Sequence, residues 1–373
     1  MNLKLERLEL REIQLPLKYP FETSFGRTTR RRIMILRVFD SSGAIGYGES
    51  TAPEDPFFNH ETIETAWHII TEFAAPLIAQ AKIEKASDVS KALAPIRGNR
   101  MAIGGVETAI WELQSRIAGL PLWQHLGGTQ NEIMSGVSIG LQESIDALLE
   151  KVTLEVSRGY QRIKLKIKPG QDIDLVEAVR EKFPDIKLTV DANSAYRLED
   201  ADTIKKLDQY NLLLIEQPLQ AGDLVDHAKL QRELKTPVCL DESITTLTDA
   251  RQAHELGSCR IINIKLCRVG GHSEASRIQK FASENGMPVW CGGMLESGIG
   301  RAHNIAMSTQ PGFVLPGDVS ASSRYWEEDV IDPPVTVSSS GTIEAPMNPG
   351  IGFEVKESLI ESLTVRRQEV TLR

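Results

Sequence analysis

The first third of the chain shows two successive hydrophobic patterns. Along residues 1–50 apolar and polar positions alternate, which is typical of antiparallel strands, and the turn sequence at 40–43 predicts a hairpin between two of them. Residues 60–81 and 101–118 then carry apolar positions at helical spacing. Strands followed by helices predict a small α+β domain over residues 1–125.

From about residue 134 the pattern changes, and short apolar runs alternate with helical stretches. This alternation indicates βα units and a parallel sheet. Eight candidate strands within residues 126–320 favour a closed TIM-type (β/α)8 barrel. An open doubly wound sheet is less favoured, because no G-x-G-x-x-G motif follows the first strand. The candidate strands are 136–139, 163–167, 188–190, 212–215, 238–240, 261–264, 289–290 and 313–315. The last segment, 321–373, is expected to pack back on the first domain.

Composition is that of a soluble globular protein. Of the 373 residues, 41% are hydrophobic and 25% are charged, and the apolar runs are too short to cross a membrane. The start of the chain lacks the features of a signal peptide, and the four cysteines form no C-x-x-C pair, so a cytoplasmic location is expected. The net charge of −9 argues against nucleic-acid binding, and the basic cluster at 27–32 is assigned to a solvated loop.

Five ionisable residues recur at nearly equal steps along the predicted barrel. Lys166, Asp191, Glu216 and Asp241 are separated by 25 residues each, and Lys265 follows after 24. Each of them ends an apolar run, and the carboxyl ends of barrel strands form the catalytic face. The spacing therefore predicts five charged side chains around one rim.

The three acids of this series indicate a metal ion. Asp191, Glu216 and Asp241 cannot converge on one rim uncompensated, because like charges would force protonation. Oxygen ligands that leave open positions suit Mg²⁺ or Mn²⁺, so these acids are predicted to bind one of those ions. The alternative is that each acid only caps the helix after its strand, but equal spacing disfavours that for all three together.

The lysines indicate proton transfer. Lys164 and Lys166 share one face of their strand, although a solvated edge strand would show the same pattern. Lys265 lies on the sixth strand, opposite the second in an eight-stranded barrel. A metal ion with an amine on each side fits proton transfer at a carbon next to a carboxylate. Two alternatives are a Schiff-base lyase with Lys166 or Lys265 as the nucleophile, and a barrel that only binds a metabolite or serves as a scaffold.

Sequence motifs resemble one family over nearly the whole chain. IKLKIKPG, VDAN, IEQP, LDES, NIK…RVGG and WCGGMLESGIGRAHN occur in the order of the muconate-lactonising subgroup of the enolase superfamily. WCGGMLESGIGRA and PFETSFG look most similar to its branch of o-succinylbenzoate synthases and N-succinylamino acid racemases. The resemblance implies a modified (β/α)7β barrel with an N-terminal α+β capping domain. It also implies metal ligation by Asp191, Glu216 and Asp241, and acid–base roles for Lys166 and Lys265.

The same resemblance implies roles for further residues. Lys164 would be a supporting cation, and Arg268, which resembles an arginine linked with racemase activity, would contact the residues of the site. Glu242 is either another such supporting residue or only an acid in the first turn of the helix that follows its strand. Phe57 and Phe58 would close over an apolar part of the substrate. Backbone N–H groups at 292–294 could receive a distal carboxylate, because Gly-rich backbone suits anions. The residues implied in substrate binding are Ser138, Asn193, Gly293, Met294, Phe21 and Phe25.

The resemblance implies a cytoplasmic enzyme that acts on a small-molecule carboxylate, forms a homo-oligomer and has no nucleic-acid or membrane partner. The leading activity is metal-dependent dehydration of 2-succinyl-6-hydroxy-2,4-cyclohexadiene-1-carboxylate through an enediolate, in menaquinone biosynthesis. Racemisation of N-succinylamino acids would use the same two lysines and is the alternative. Dipeptide epimerases carry Asp-x-Asp after the eighth strand, whereas this chain has Asp318-Val319-Ser320, so that activity is less favoured.

Overall fold

The computed structural model describes residues 3–23 and 26–373. Its strands are β1 (Leu5–Thr23), β2 (Gly26–Asp40), β3 (Ile45–Ser50), β4 (Glu132–Met134), β5 (Gly136–Ile139), β6 (Arg162–Lys166), β7 (Lys187–Asp191), β8 (Leu214–Glu216), β9 (Val238–Leu240), β10 (Ile261–Ile264), β11 (Val289–Cys291), β12 (Ile331–Asp332), β13 (Thr342–Glu344), β14 (Glu354–Val355) and β15 (Thr364–Thr371). Its α-helices are α1 (Ile63–Ile69), α2 (Ala75–Gln80), α3 (Val89–Ala92), α4 (Arg100–Ile117), α5 (Leu122–His125), α6 (Ile145–Ser157), α7 (Ile173–Lys182), α8 (Ala201–Lys205), α9 (Leu224–Glu233), α10 (Leu247–Leu256), α11 (His272–Glu284), α12 (Gly298–Ser308) and α13 (Glu357–Leu363). Within these ranges, no helix is long and apolar enough to cross a membrane.

The capping domain is built on an antiparallel sheet in the order β15-β1-β2-β3. Both faces of this sheet are buried around residues 33–36 of β2. Met34 and Leu36 pack with the capping-domain helices, whereas Ile33 and Ile35 belong to the core shared with the barrel. Successive side chains of a strand point to opposite faces. The continuous apolar run 33–36 of β2 therefore contributes to two hydrophobic cores. Strand β15 brings the end of the chain against β1; the domain boundaries given above stay a prediction.

Seven parallel strands run in sequence order from β5 to β11 and form the barrel sheet. Each is followed by a helix, from α6 to α12, which confirms the predicted βα alternation. The predicted eighth strand is not a regular strand. Phe313 forms an isolated bridge with Val289, and Gly317 forms one with Ser135, so this segment joins both edges of the sheet and closes the barrel.

A proline explains why the eighth strand is irregular. Pro316 has no N–H to donate to a neighbouring strand. Hydrogen bonds beyond it hold the segment instead: the Gly317 N–H donates to Met134 O at 3.1 Å, and the Asp318 N–H donates to Cys291 O at 2.7 Å. Asp318 is thereby fixed at the carboxyl end of the barrel.

The barrel interior has an apolar floor below a polar rim. The floor consists of Leu214, Cys239, Ile261 and Trp290. Residues two positions further along a strand point to the same side. Glu216, Asp241 and Asn263 therefore lie one layer above this floor, at the mouth of the barrel.

Two buried carboxylates of the capping domain bind the N-termini of barrel helices. Glu107 on α4 accepts a hydrogen bond from the His272 N–H at the start of α11, at 2.7 Å. Glu49 on β3 accepts from the N–H groups of Ser297 and Gly300 at the start of α12, at 3.1 and 3.0 Å. Free N–H groups at a helix N-terminus favour such acceptors. These contacts hold the capping domain over the barrel.

Candidate active site

The carboxyl ends of β6 to β10 bring the five periodically spaced residues to one rim. Lys166 Nζ lies 2.6 Å from Asp191 Oδ2, and Lys265 Nζ lies 2.8 Å from Asp241 Oδ2. Asp191 and Glu216 are register partners on neighbouring strands. All five side chains are buried, so their charges act on one another with little screening by water.

Lys164 lies among three carboxylates. Its Nζ is 2.6 Å from Asp318 Oδ2, 2.8 Å from Glu216 Oε2 and 3.2 Å from Asp191 Oδ2. Burial by itself lowers the pKa of Lys164, but the three acids outweigh it and hold this pKa well above its usual value. Lys164 is therefore a fixed positive charge at the rim.

The neighbouring acids respond differently to this environment. Burial raises the pKa of Asp191, but Lys166 and Lys164 outweigh it and hold this pKa below its usual range. For Glu216, burial and the charge of Asp191 raise the pKa. Two crowded carboxylates thus compete for the available positive charge, which favours an additional cation.

The donor set fits a hard divalent cation. Asp191, Glu216 and Asp241 offer carboxylate oxygens from three consecutive strands, and Asp241 Oδ2 is buried without a hydrogen-bond partner in the described residues. Lys265 lies close to that oxygen, but not in hydrogen-bonding geometry. As the side chains stand, no group of three or more His, Cys, Asp or Glu in residues 3–23 and 26–373 is placed to hold a metal ion. The amines of Lys164, Lys166 and Lys265 lie within 2.8 Å of the carboxylate oxygens of these three acids.

A chain of hydrogen bonds leads from Lys166 to Glu242, a carboxylate outside the three predicted metal ligands. Lys166 Nζ donates to Asn193 Oδ1 at 2.7 Å, and Asn193 Nδ2 donates to Glu242 Oε1 at 3.0 Å. Arg268, a predicted supporting residue of the site, donates to Asp241. These bonds restrict the positions that the Lys166 amine and the Asp241 carboxylate can adopt.

Residues predicted to bind substrate lie on several sides of the rim. Ser138 is the register partner of Lys164, and its buried hydroxyl has no hydrogen-bond partner in the described part of the chain. The Met294 N–H already donates to Glu296 Oε1 at 2.9 Å. Gly293 lies so close to Asp318 that a Cβ on it would come 2.8 Å from the Asp318 carbonyl oxygen.

The aromatic residues are placed unequally. The Phe58 ring centre lies 4.5 Å from Lys265 Nζ, whereas Phe57 is 66% exposed. Phe21 is half-buried on β1, and Phe25 lies outside the described residues. Their roles in substrate binding stay predictions.

Three polar residues in contact with the rim were not assigned to the site from the sequence. Asp318 bonds both Lys164 and Arg162, the latter at 2.7 Å, and Asn263 Nδ2 donates to Glu216 Oε1 at 2.7 Å. Asp318 closely follows the eighth apolar run, which is a signal that could have revealed it. Asn263 precedes Lys265 by two residues, the same spacing that links Lys164 and Lys166.

Two family models match the chain. Residues 7–127 match the N-terminal domain of mandelate racemase and muconate lactonizing enzyme, and residues 147–359 match the enolase C-terminal domain-like family. The chain belongs to the enolase superfamily. This confirms the family, the fold class and the assignment as an enzyme that the motifs and the βα alternation predicted.

Relatives within the superfamily match over almost the full length. An o-succinylbenzoate synthase from Geobacillus kaustophilus is 50% identical over 364 residues, covering 98% of this chain and 97% of that protein. An N-succinylamino acid racemase from Thermus thermophilus is 46% identical over 363 residues, covering 97% and 98%. A crystal structure of an enolase-superfamily member from Listeria innocua matches with a TM-score of 0.96 and 44% identity, covering 100% of both chains.

Enolase-superfamily enzymes depend on a divalent metal ion, typically Mg²⁺. The three acids of the rim offer the oxygen donors that such an ion prefers. The individual roles of the acids and lysines in this chain stay predictions.

Proposed function

We propose that this enzyme is an o-succinylbenzoate synthase, which removes water from 2-succinyl-6-hydroxy-2,4-cyclohexadiene-1-carboxylate in menaquinone biosynthesis. The observation that carries the proposal is the placement of Lys166 and Lys265, which flank a run of three strand-end carboxylates. The 50% identity to the Geobacillus kaustophilus synthase over 98% of the chain supports the reaction.

Asp191, Glu216 and Asp241 would hold Mg²⁺ or Mn²⁺. When bound, this cation supplies positive charge beside the substrate carboxylate, whose negative charge increases as its α-proton leaves. Lys164, kept cationic by its acidic neighbours, adds a second positive charge at the same rim.

Lys166 is the base in the dehydration. Its Nζ takes the α-proton, and the electron pair of that C–H bond moves into the ring as the C–O bond to the hydroxyl group breaks. Nζ then returns the proton to the departing hydroxide, so that water leaves and the ring becomes aromatic. Asp191 and Asn193 hold Nζ at 2.6 and 2.7 Å, which limits the orientations of the amine. Lys265, on the opposite side, stabilises the enolate as a cation.

Racemisation of N-succinylamino acids is a second candidate function. It would need one amine on each face of the α-carbon. Lys166 ends strand β6 and Lys265 directly follows strand β10, at opposite sides of the rim. The 46% identity to the Thermus thermophilus racemase favours it as an additional activity.

Direct assay of both reactions tests the proposal. The purified enzyme with Mg²⁺ is given the cyclohexadiene carboxylate, and aromatic product is followed by absorbance; N-succinyl-phenylglycine is followed by polarimetry. We expect dehydration, with or without racemisation. Racemisation without any dehydration would replace the synthase assignment by the racemase one.

A further inference from the structure

An open cavity of about 220 Å³ lies between the start of β2 and the loop that follows β3. The residues that line it include Thr28, Arg31, Glu54, Asp55, Phe57 and Phe58. Phe58 also contacts Lys265, with its ring centre 4.5 Å from Nζ. One aromatic ring therefore separates this cavity from an amine of the rim.

Arg31 differs from the other buried arginines. The prediction that the basic cluster at 27–32 forms a solvated loop is wrong, because all of it belongs to β2, and Arg31 is only 6% exposed. The buried arginines of the described residues are Arg11, Arg31, Arg162, Arg268, Arg301 and Arg324. Five of these six have a carboxylate oxygen within 4.0 Å, and Arg31 has none within residues 3–23 and 26–373.

The guanidinium of Arg31 is also short of hydrogen bonds. Nη2 donates to Thr51 O at 3.2 Å, whereas Nε is buried and has no partner in the described part of the chain. Glu49, Glu54 and Glu296 act on Arg31 only at longer range. A buried cation without a close counter-ion is costly, so an anion that enters the cavity would remove part of that cost.

Two of the three backbone N–H groups at 292–294 that were predicted to receive an anion are already engaged. The Gly292 N–H donates to Ile264 O at 3.1 Å, and the Met294 N–H donates to Glu296 Oε1 at 2.9 Å. A carboxylate at these amides would have to break existing bonds, whereas Arg31 has an unused donor.

We propose that Arg31 binds the distal carboxylate of a dicarboxylate substrate in this cavity, on the capping-domain side of Phe58. This rests on the proposed function, whose substrates carry a succinyl group and a second carboxylate. Glu54 and Asp55 are exposed where they line the cavity, so water and salt screen their repulsion of the bound anion. Arg31 is thus a specificity-determining residue for the succinyl group.

The test compares two substrates that differ only in the distal carboxylate. The holoenzyme with Mg²⁺ is given N-succinyl-phenylglycine or N-acetyl-phenylglycine in D₂O, and exchange of the α-proton is measured by ¹H NMR. We expect Arg31→Met to lower kcat/KM for the succinyl substrate at least tenfold, mainly through KM. The acetyl substrate should change less than threefold.

A matched control removes the next arginine of the same strand. Arg32 is paired with Glu12 and Glu64, at 2.6 Å each, away from the cavity lining. Arg32→Met should keep the wild-type preference for the succinyl substrate. If Arg32→Met loses the preference for the succinyl substrate as strongly as Arg31→Met, the loss comes from a general disturbance of β2. That result would overturn the proposal.

Arg31→Lys provides a second variant if Arg31→Met does not fold. It keeps the charge but not the guanidinium fork, and we expect an intermediate loss confined to the succinyl substrate. Equal losses for both substrates would overturn the assignment. So would a wild-type enzyme that handles both substrates equally well, although the proposed function would then stand. Exchange of neither substrate, together with no dehydration, would instead overturn the proposed function itself.

Discussion

Lys164 shows how the charge of one residue depends on several partners at the rim. It contacts Asp318, Glu216 and Asp191 at 2.6 to 3.2 Å. Asp318 is the nearest of the three and also pairs with Arg162. Burial raises the pKa of Asp318, but Arg162 and Lys164 outweigh it and hold this pKa below its usual range. Asp318 thus provides a permanent negative charge that leaves the other two acids freer to bind a metal ion.

Replacing Asp318 should be costly. Asp318→Asn removes the negative charge and leaves two buried cations short of a partner, so we expect the free energy of unfolding to fall by about 3 kcal/mol. Activity should fall as well, because Lys164 would then pair more strongly with Glu216 and Asp191 and leave these two carboxylates less available to a metal ion. Urea unfolding and the dehydration assay measure the two effects.

A surface ion pair provides the control for this variant. Glu327 is 81% exposed and lies 3.4 Å from Lys18, and Glu327→Gln should change stability by less than about 0.5 kcal/mol. An Asp318→Asn enzyme as stable and as active as the wild type would contradict the role given to Asp318.

Residue by residue, the sequence identifies charged groups that follow the βα period. Lys166, Asp191 and Glu216 could be placed at one rim because 25-residue steps separate them. Asp318 breaks that period, since it follows the irregular segment around Pro316. Contacts such as the one between Asp318 and Lys164 depend on barrel closure, which spacing along the chain does not give.

At the scale of elements, two helices of the barrel begin at carboxylates of the capping domain. Glu107 receives the N–H of His272 on α11, and Glu49 receives those of Ser297 and Gly300 near the start of α12. Burial raises the pKa of Glu107 to about 7 and that of Glu49 to about 8. The contact between the two domains is therefore predicted to respond to pH.

The sign of this response follows from the direction of the shift. The raised pKa of Glu107 means that the folded state holds the proton more tightly than the unfolded state. Its contribution to stability is full below pH 4.5 and is lost as the pH rises through about 7. Because each pKa unit corresponds to about 1.36 kcal/mol, the loss is at most about 3 kcal/mol.

Glu107→Gln tests this contribution. The variant cannot titrate at this position, so the decrease in its free energy of unfolding between pH 4.5 and pH 7.5 should be smaller than in the wild type. Glu150→Gln, at an exposed position on α6, should leave the wild-type pH dependence unchanged. Parallel pH profiles for the wild type and Glu107→Gln would show that Glu107 does not titrate in this range.

Periodicity predicts the elements better than it predicts their ends. The βα repeat identifies all seven regular barrel strands, because apolar runs separated by helices recur along the chain. It fails at 313–315, where Phe313 forms an isolated bridge and the described residues form no regular strand. The binding of α11 and α12 by Glu107 and Glu49 is also invisible in the sequence, because their partners lie more than 150 residues away.

At the scale of the whole molecule, the charges of the site balance without a metal ion. The cations are Lys164, Lys166, Lys265, Arg162 and Arg268, and the carboxylates are Asp191, Glu216, Asp241, Glu242 and Asp318. Five formal positive charges face five formal negative ones. We therefore expect the enzyme to stay folded when the metal ion is removed, and to lose only its activity.

Chelation tests this expectation. EDTA should abolish dehydration while the circular dichroism spectrum stays unchanged, and added Mg²⁺ or Mn²⁺ should restore activity and raise the melting temperature, since a ligand that binds the folded state stabilises it. Full activity in EDTA would argue against a metal-dependent reaction. Unfolding on chelation would show that the lysines do not compensate the acids.

Stereospecific exchange of the α-proton tests the central claim most directly. The two enantiomers of N-succinyl-phenylglycine are incubated separately in D₂O with the Mg²⁺ form of Lys166→Ala, Lys265→Ala and the control Lys168→Ala, and loss of the α-proton signal is followed by ¹H NMR. With one amine on each face of the α-carbon, each of the first two variants should exchange only one enantiomer, and a different one, whereas Lys168→Ala should exchange both. Exchange of both enantiomers by Lys166→Ala and by Lys265→Ala would contradict the assignment of these lysines as the acid–base pair.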